Sequence, residues 1–227
     1  MNRELRREYL AAMNLESWVV RAKPARVATN AATATTDAPR ESDLDWPQLR
    51  ARVAGCTRCA LSATRTQTVF GVGDPKAQWL IVGEAPGAEE DRQGEPFVGR
   101  AGQLLNSMLR AIGLAREQVF IANVLKCRPP GNRDPAAQEV AECLPYLERQ
   151  IALIRPKIML AVGRIASQTL LRTDVPLGRL RRQVHYFGAL KVPLVVTYHP
   201  AYLLRTPADK RKAWDDLKFA REVLARV

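Results

Sequence analysis

No stretch of this 227-residue chain approaches the ~18 consecutive apolar residues that a membrane-spanning helix needs. Its opening residues, MNRELRREYL, are charged throughout and lack the apolar core of a secretory leader. These two absences disfavour secretion and an integral membrane role. Acidic residues are scarce: 23 Asp+Glu face 35 Lys+Arg, a net charge of +12. At 47% hydrophobic the chain can bury a real core, which excludes a disordered basic protein. The length fits one domain plus an extra segment. A basic balance on a folded domain points to a polyanion partner, with nucleic acid first.

The charge is unevenly placed. Residues 1–45 carry seven basic and seven acidic residues and are neutral. The whole excess therefore belongs to residues 46–227. Residues 1–21 hold an amphipathic pattern at Leu5, Tyr9, Leu10 and Met13, followed by Trp18-Val19-Val20. This segment is either a docking peptide, with a replication or repair protein as its candidate partner, or a helix packed on its own domain. Residues 22–45 are rich in Ala, Thr and Pro without apolar periodicity, the composition of a linker.

Residues 46–227 read as one α/β domain. Short apolar runs at Trp79–Val82, Val119–Ala122, Ile158–Val162 and Leu194–Tyr198 suit buried strands. Helical patterns alternate with them at Ala101–Ile112, Pro135–Ile154, Ile165–Leu171 and Pro207–Val227, and Pro145 is a candidate kink. A preceding helix, Trp46–Val53, has Asp45 as its N-cap and Pro47 in its first turn. This alternation predicts a central four-stranded, mainly parallel sheet covered on both faces. No internal repeat is present.

The four cysteines, Cys56, Cys59, Cys127 and Cys143, follow the pattern C-x2-C-x67-C-x15-C. In a chain expected to be cytosolic, such a set favours a metal centre over disulfides. The spacing suits zinc and an iron–sulfur cluster equally. Arg58, Lys126 and Arg128 flank these cysteines; they could balance an anionic thiolate site or face phosphates.

Ligands of open α/β sheets bind beyond the carboxyl ends of the strands, and three such ends are unusual here. The first continues as Gly83-Glu84-Ala85-Pro86-Gly87 and, further on, Pro96-Phe97-Val98-Gly99. Gly99–Gly102 opens a helix whose amides could hold a phosphate. Phe97 is a core anchor or a stacking face for a ring. The second ends at Asn123, a loop cap or a reader of a base edge. The last runs Tyr198-His199-Pro200-Ala201-Tyr202-Leu203-Leu204-Arg205. The only other histidine, His185, falls in a less patterned stretch.

Together these residues resemble a family 4 uracil-DNA glycosylase, of the uracil-DNA glycosylase superfamily. The resemblance runs from about Cys56 to the C-terminus and leaves residues 1–45 outside it. It implies a three-layer α/β/α sandwich, a structural 4Fe-4S cluster on Cys56, Cys59, Cys127 and Cys143, and excision of uracil from DNA by a monomer in the cytoplasm, associated with the nucleoid. It implies catalytic roles for Glu84 and His199. Ala85, Glu90, Phe97 and Asn123 would form the uracil pocket, with Glu90 at the C5 edge, where a thymine methyl would clash. Tyr202, Leu203, Leu204 and Arg205 would meet DNA as a wedge that fills the gap left by an extruded base. The family 1 motif carries an Asp where this chain has Ala85, so Glu84 would be left to polarise water. The segment after Cys127 lacks the basic, His-containing insertion of uracil-trapping relatives, which favours hydrolytic turnover. A non-cleaving uracil binder and a zinc-stabilised nucleotide enzyme are the competing readings. Residues 1–45 are expected to be dispensable for excision.

Overall fold

A computed structural model describes residues 40–226. The helical pattern at residues 1–21 and most of the linker lie outside the described residues. The elements run α1 (Trp46–Ala54), β1 (Val72–Gly73), β2 (Trp79–Gly83), α2 (Ala88–Gln93), α3 (Arg100–Ala111), β3 (Phe120–Asn123), α4 (Ala137–Ile154), β4 (Ile158–Val162), α5 (Arg164–Leu171), α6 (Leu177–Leu180), β5 (His185–Phe187), β6 (Val192–Thr197), α7 (Pro200–Arg205) and α8 (Lys210–Leu224). Among the described residues, no helix is long and apolar enough to cross a membrane.

The sheet has six strands in the order β1-β3-β2-β4-β6-β5. The middle four, β3-β2-β4-β6, are parallel and are the four that the apolar runs mark. The four-strand expectation is therefore corrected at the edges, where β1 and β5 add short antiparallel pairings. Neither edge carries a continuous buried run: β1 is two residues long and Tyr186 of β5 is exposed. This removes the signal by which a strand is recognised.

The central strands are buried on both faces, as parallel strands must be when helices cover each side. Leu80, Val82, Phe120, Met159 and Val196 face one layer with α1, α4 and α5. Trp79, Ile81, Ile121, Leu160 and Val195 face the other, with α3, α7 and α8. Asp45 caps α1 reciprocally: its carboxylate accepts from the Gln48 N–H at 2.9 Å, and its own N–H donates to Gln48 Oε1 at 3.0 Å. Helix α4 runs on through Pro145. Residues 41–44, within the compositional linker, pack on the domain: Leu44 is buried, and Arg149 Nε donates to its carbonyl at 2.6 Å.

A buried ion pair ties three elements together behind β6. Arg181 donates to Asp216 through Nε at 2.7 Å and Nη2 at 2.9 Å, and the Thr197 hydroxyl donates to the same carboxylate at 2.8 Å. Asp216 is 0% exposed and the Arg181 side chain only 9%, so removing Asp216 leaves a largely enclosed guanidinium without its carboxylate. Asp216→Ala is expected to cost about 3–5 kcal/mol in urea-induced unfolding. A loss under about 1 kcal/mol, the scale of a surface pair, would contradict this reading.

Candidate active site

The carboxyl ends of β2, β3 and β6 deliver Glu84, Asn123 and His199 to one cavity of about 470 Å³. Ala85, Glu90, Phe97, Tyr202 and Arg205 also line it. The fold thus gathers eight of the ten candidate catalytic, uracil-pocket and DNA-meeting residues into a single site beyond the strand ends.

Asn123 is the last residue of β3 and is 2% exposed, and its Oδ1 is buried without a hydrogen-bond partner. Gly83, its register partner on β2, permits the approach: a Cβ there would sit 2.4 Å from Asn123 Oδ1 and 2.7 Å from the Phe97 ring. Glycine therefore lets the amide and the ring converge.

Phe97 is buried in the left-handed region, with φ +54°. That conformation costs about 1–3 kcal/mol in a non-glycine residue and must be held from outside. Two charged groups hold it. Arg116 donates from Nη2 to Pro96 O at 2.6 Å and from Nη1 to Phe97 O at 3.4 Å. Glu90 accepts from the Val98 and Gly99 N–H groups at 3.0 and 3.3 Å on one oxygen, and from Gly87 N–H at 3.1 Å on the other. The anion met by the Gly99 turn is thus the protein's own Glu90 rather than an external phosphate.

His199 caps α7: its Nδ1 accepts the Ala201 N–H at 3.1 Å. Burial, seconded by the Arg205 charge, lowers its pKa to about 4. The ring is therefore neutral near pH 7, and its single proton sits on Nε2. Glu84 moves the other way. Burial first, then the Asp134 carboxylate, raises its pKa to about 7. Asp134 is itself paired with Arg164 at 2.6 Å.

The wedge expected at Tyr202-Leu203-Leu204 is corrected at Leu203. These residues form α7, and Leu203 is 1% exposed in the core layer beside α3 and α8. Tyr202 stacks on Tyr198 at 5.1 Å between centroids and donates to Asp209 Oδ2 at 2.6 Å. Leu204 is half-buried, and Arg205 is exposed beside the cavity. His185 is structural, with Nε2 2.8 Å from Leu180 O. Arg116, Asp134 and Arg164 escaped the sequence reading. Asp134 had a weak signal, the turn-forming run Pro129–Arg133 just before it. Arg116 had none, because its partners are 19 and 20 residues away.

Cys56, Cys59, Cys127 and Cys143 line a second pocket and are free thiols. Among the described residues, no three His, Cys, Asp or Glu side chains surround one ion position. Four thiols lining one pocket are a donor set that fits a thiolate-held metal centre, either a single ion or a cluster. One cation and one main-chain amide donate to it: Arg65 Nη1 to Cys127 Sγ at 3.2 Å, and the Lys126 backbone N–H to Cys143 Sγ at 3.2 Å. Burial raises the Cys143 thiol to about 12, against the lowering effect of Lys126. Ligation to a metal would deprotonate it outright. The flanking cations resolve separately. Lys126 is buried and faces no phosphate, Arg58 pairs with Glu41 and Glu142, and Arg128 donates to Asn132 Oδ1 at 2.7 Å.

The arrangement suits a flat heterocycle. Phe97 offers a ring face, Asn123 a paired acceptor and donor, and His199 an N–H for a developing negative charge. NMR titration is expected to find His199 neutral in the Nε2–H form down to about pH 5, one unit above its lowered pKa. A midpoint near the ordinary 6.5 would contradict this.

A family model described as the uracil DNA glycosylase superfamily matches residues 70–218. A type-4 uracil-DNA glycosylase of Archaeoglobus fulgidus is 44% identical over 77% of this chain and 90% of its own. One of Thermotoga maritima is 40% identical over 77% and 92%. A type-5 uracil-DNA glycosylase of Pyrobaculum aerophilum is 30% identical over 67% and 80%. With its α/β sheet and a strand-end site inside the matched region, the chain belongs to the uracil-DNA glycosylase superfamily.

Proposed function

We infer that this protein is a DNA-repair glycosylase that hydrolyses the N-glycosidic bond of deoxyuridine in DNA, releasing uracil and leaving an abasic site. The partnerless Asn123 Oδ1, buried beside Phe97 and sharing a cavity with a neutral His199, is the observation that carries this reading.

The target nucleotide must leave the base stack to reach this cavity. Uracil then stacks on Phe97. Its N3–H donates to Asn123 Oδ1, and its O4 accepts from the Asn123 amide. Cytosine presents the opposite donor and acceptor and would leave both pairs mismatched. Glu90, braced by three backbone N–H groups, occupies the side where a thymine methyl would clash. As the C1′–N1 bond breaks, its electron pair passes to the uracil, and His199 Nε2–H donates to O2, where negative charge collects. Water attacks C1′ and gives up a proton to the Glu84 carboxylate. The departing uracil anion later takes a proton from solvent. Arg205, exposed, and Leu204, half-buried, are the α7 residues that would meet DNA.

The four thiols suit a 4Fe-4S cluster, which when bound would cross-link the Cys56–Cys59 segment to β3's exit loop and to α4. Cluster-loaded protein is expected to be brown, with broad absorbance near ~400 nm; a colourless protein with stoichiometric zinc would overturn this assignment.

Excision is tested on a uracil-containing oligonucleotide followed by alkali, with strand breaks expected only at uracil. His199→Ala is expected to slow excision about 10²- to 10³-fold. Asn123→Ala should lose uracil selectivity with little change in DNA affinity. The rate should rise with pH through about 7 as Glu84 ionises, with loss on the acid side. Glu84→Gln should abolish that limb. Tight binding of uracil-DNA without cleavage would establish a binder in place of an enzyme.

A further inference from the structure

The most costly group near the site touches no substrate. Lys126 is 1% exposed, and no carboxylate lies within ion-pair distance of it among the described residues. Its Nζ donates to the main-chain oxygen of Asn123 at 2.8 Å and to Gln150 Oε1 at 2.7 Å. Gln150 is 0% exposed, and its own Nε2 donates to Phe70 O at 2.9 Å. The Lys126 backbone is pinned as well, its N–H on Cys143 Sγ and its carbonyl on Val69 N–H at 2.8 Å.

An apolar side chain would fill this space without the heavy desolvation cost of a buried ammonium. What an apolar side chain cannot do is donate to the carbonyl of the residue three positions back. That carbonyl belongs to the peptide from which the base-reading amide projects. Lys126 thus bonds Asn123 O through its side chain and Cys143 Sγ through its backbone, so the thiol set and the reading residue share one buried clamp.

We propose that Lys126, held by Gln150, is the positioning residue of the uracil-reading amide, fixing the Asn123 peptide so that its side chain meets the base in register. The inference rests on the role given to Asn123 above. A displacement of about 1 Å in a reacting constellation costs on the order of 10²-fold in rate, so a clamp of this kind sets kcat rather than DNA affinity.

The test uses the full chain, purified with its native chromophore, and compares wild type with Lys126→Met, Gln150→Leu and Asn123→Ala. For each, kcat and KM of excision, inhibition by free uracil, affinity for abasic-site DNA and visible absorbance per chain are measured. Lys126→Met is expected to lower kcat about 10- to 100-fold and to weaken uracil inhibition by a similar factor, with KM, abasic-DNA affinity and absorbance unchanged. Gln150→Leu should show the same split to a smaller degree. A folded, fully coloured Lys126→Met protein with wild-type kcat and uracil inhibition, while Asn123→Ala has lost both, would overturn the proposal and leave Lys126 a counter-charge for the thiolates. Should Lys126→Met fail to fold or to take up its chromophore, wild-type behaviour of Gln150→Leu overturns it instead. A wild-type protein that does not excise uracil, or an Asn123→Ala variant that excises it normally, overturns the glycosylase reading and this inference with it.

Discussion

A buried amide oxygen left without a donor costs a fold about 1–3 kcal/mol, and Asn123 Oδ1 has no protein donor among the described residues. The surrounding structure serves to keep the oxygen unpaired and aimed. Gly83 removes the side chain that would collide with it. Phe97 walls it from a left-handed backbone conformation that Arg116 and Glu90 hold in place. The Gly87, Val98 and Gly99 amides beside it are taken by Glu90, and among the described residues no protein donor reaches Asn123 Oδ1.

The electrostatics of the cavity follow from burial. The same desolvation that keeps His199 neutral raises Glu84 into the physiological range, because each charged form is penalised. A neutral imidazole with its proton on Nε2 leaves the site with an N–H donor and no cationic ring. The excess of basic residues divides accordingly. Arg205 stands exposed at the mouth of the cavity, whereas Arg65 points at a thiol and the Lys126 ammonium is buried on Asn123 O and Gln150 Oε1. The net +12 therefore overstates the number of phosphates the surface can meet.

Much of this was legible in the chain itself. Short continuous apolar runs suit strands buried on both faces, and their alternation with helical patterns pointed to the parallel pairing of β2, β3, β4 and β6. Asp45 and Pro47 marked the start of α1 because capping is local chemistry. The strand-end loops were visible as departures from periodicity, and eight of their residues do share one cavity. Leu203 was misread because the His199–Arg205 stretch carries no sign of which way a short helix will face. Packing against α3 and α8 turned that leucine inward.

The sequence by itself determined the layered α/β class, the four cysteines and the residues at the strand ends, because periodicity, spacing and turn chemistry are properties of neighbouring residues. Only the tertiary structure decided the protonation states of His199 and Glu84, the bracing of Phe97 by Arg116, the engagement of the Val98 and Gly99 amides by Glu90, and the burial of Lys126 behind Asn123. Each of these depends on desolvation or on a partner brought in from a distant part of the chain. Burial and long-range contact exist only once the layers have closed on the sheet.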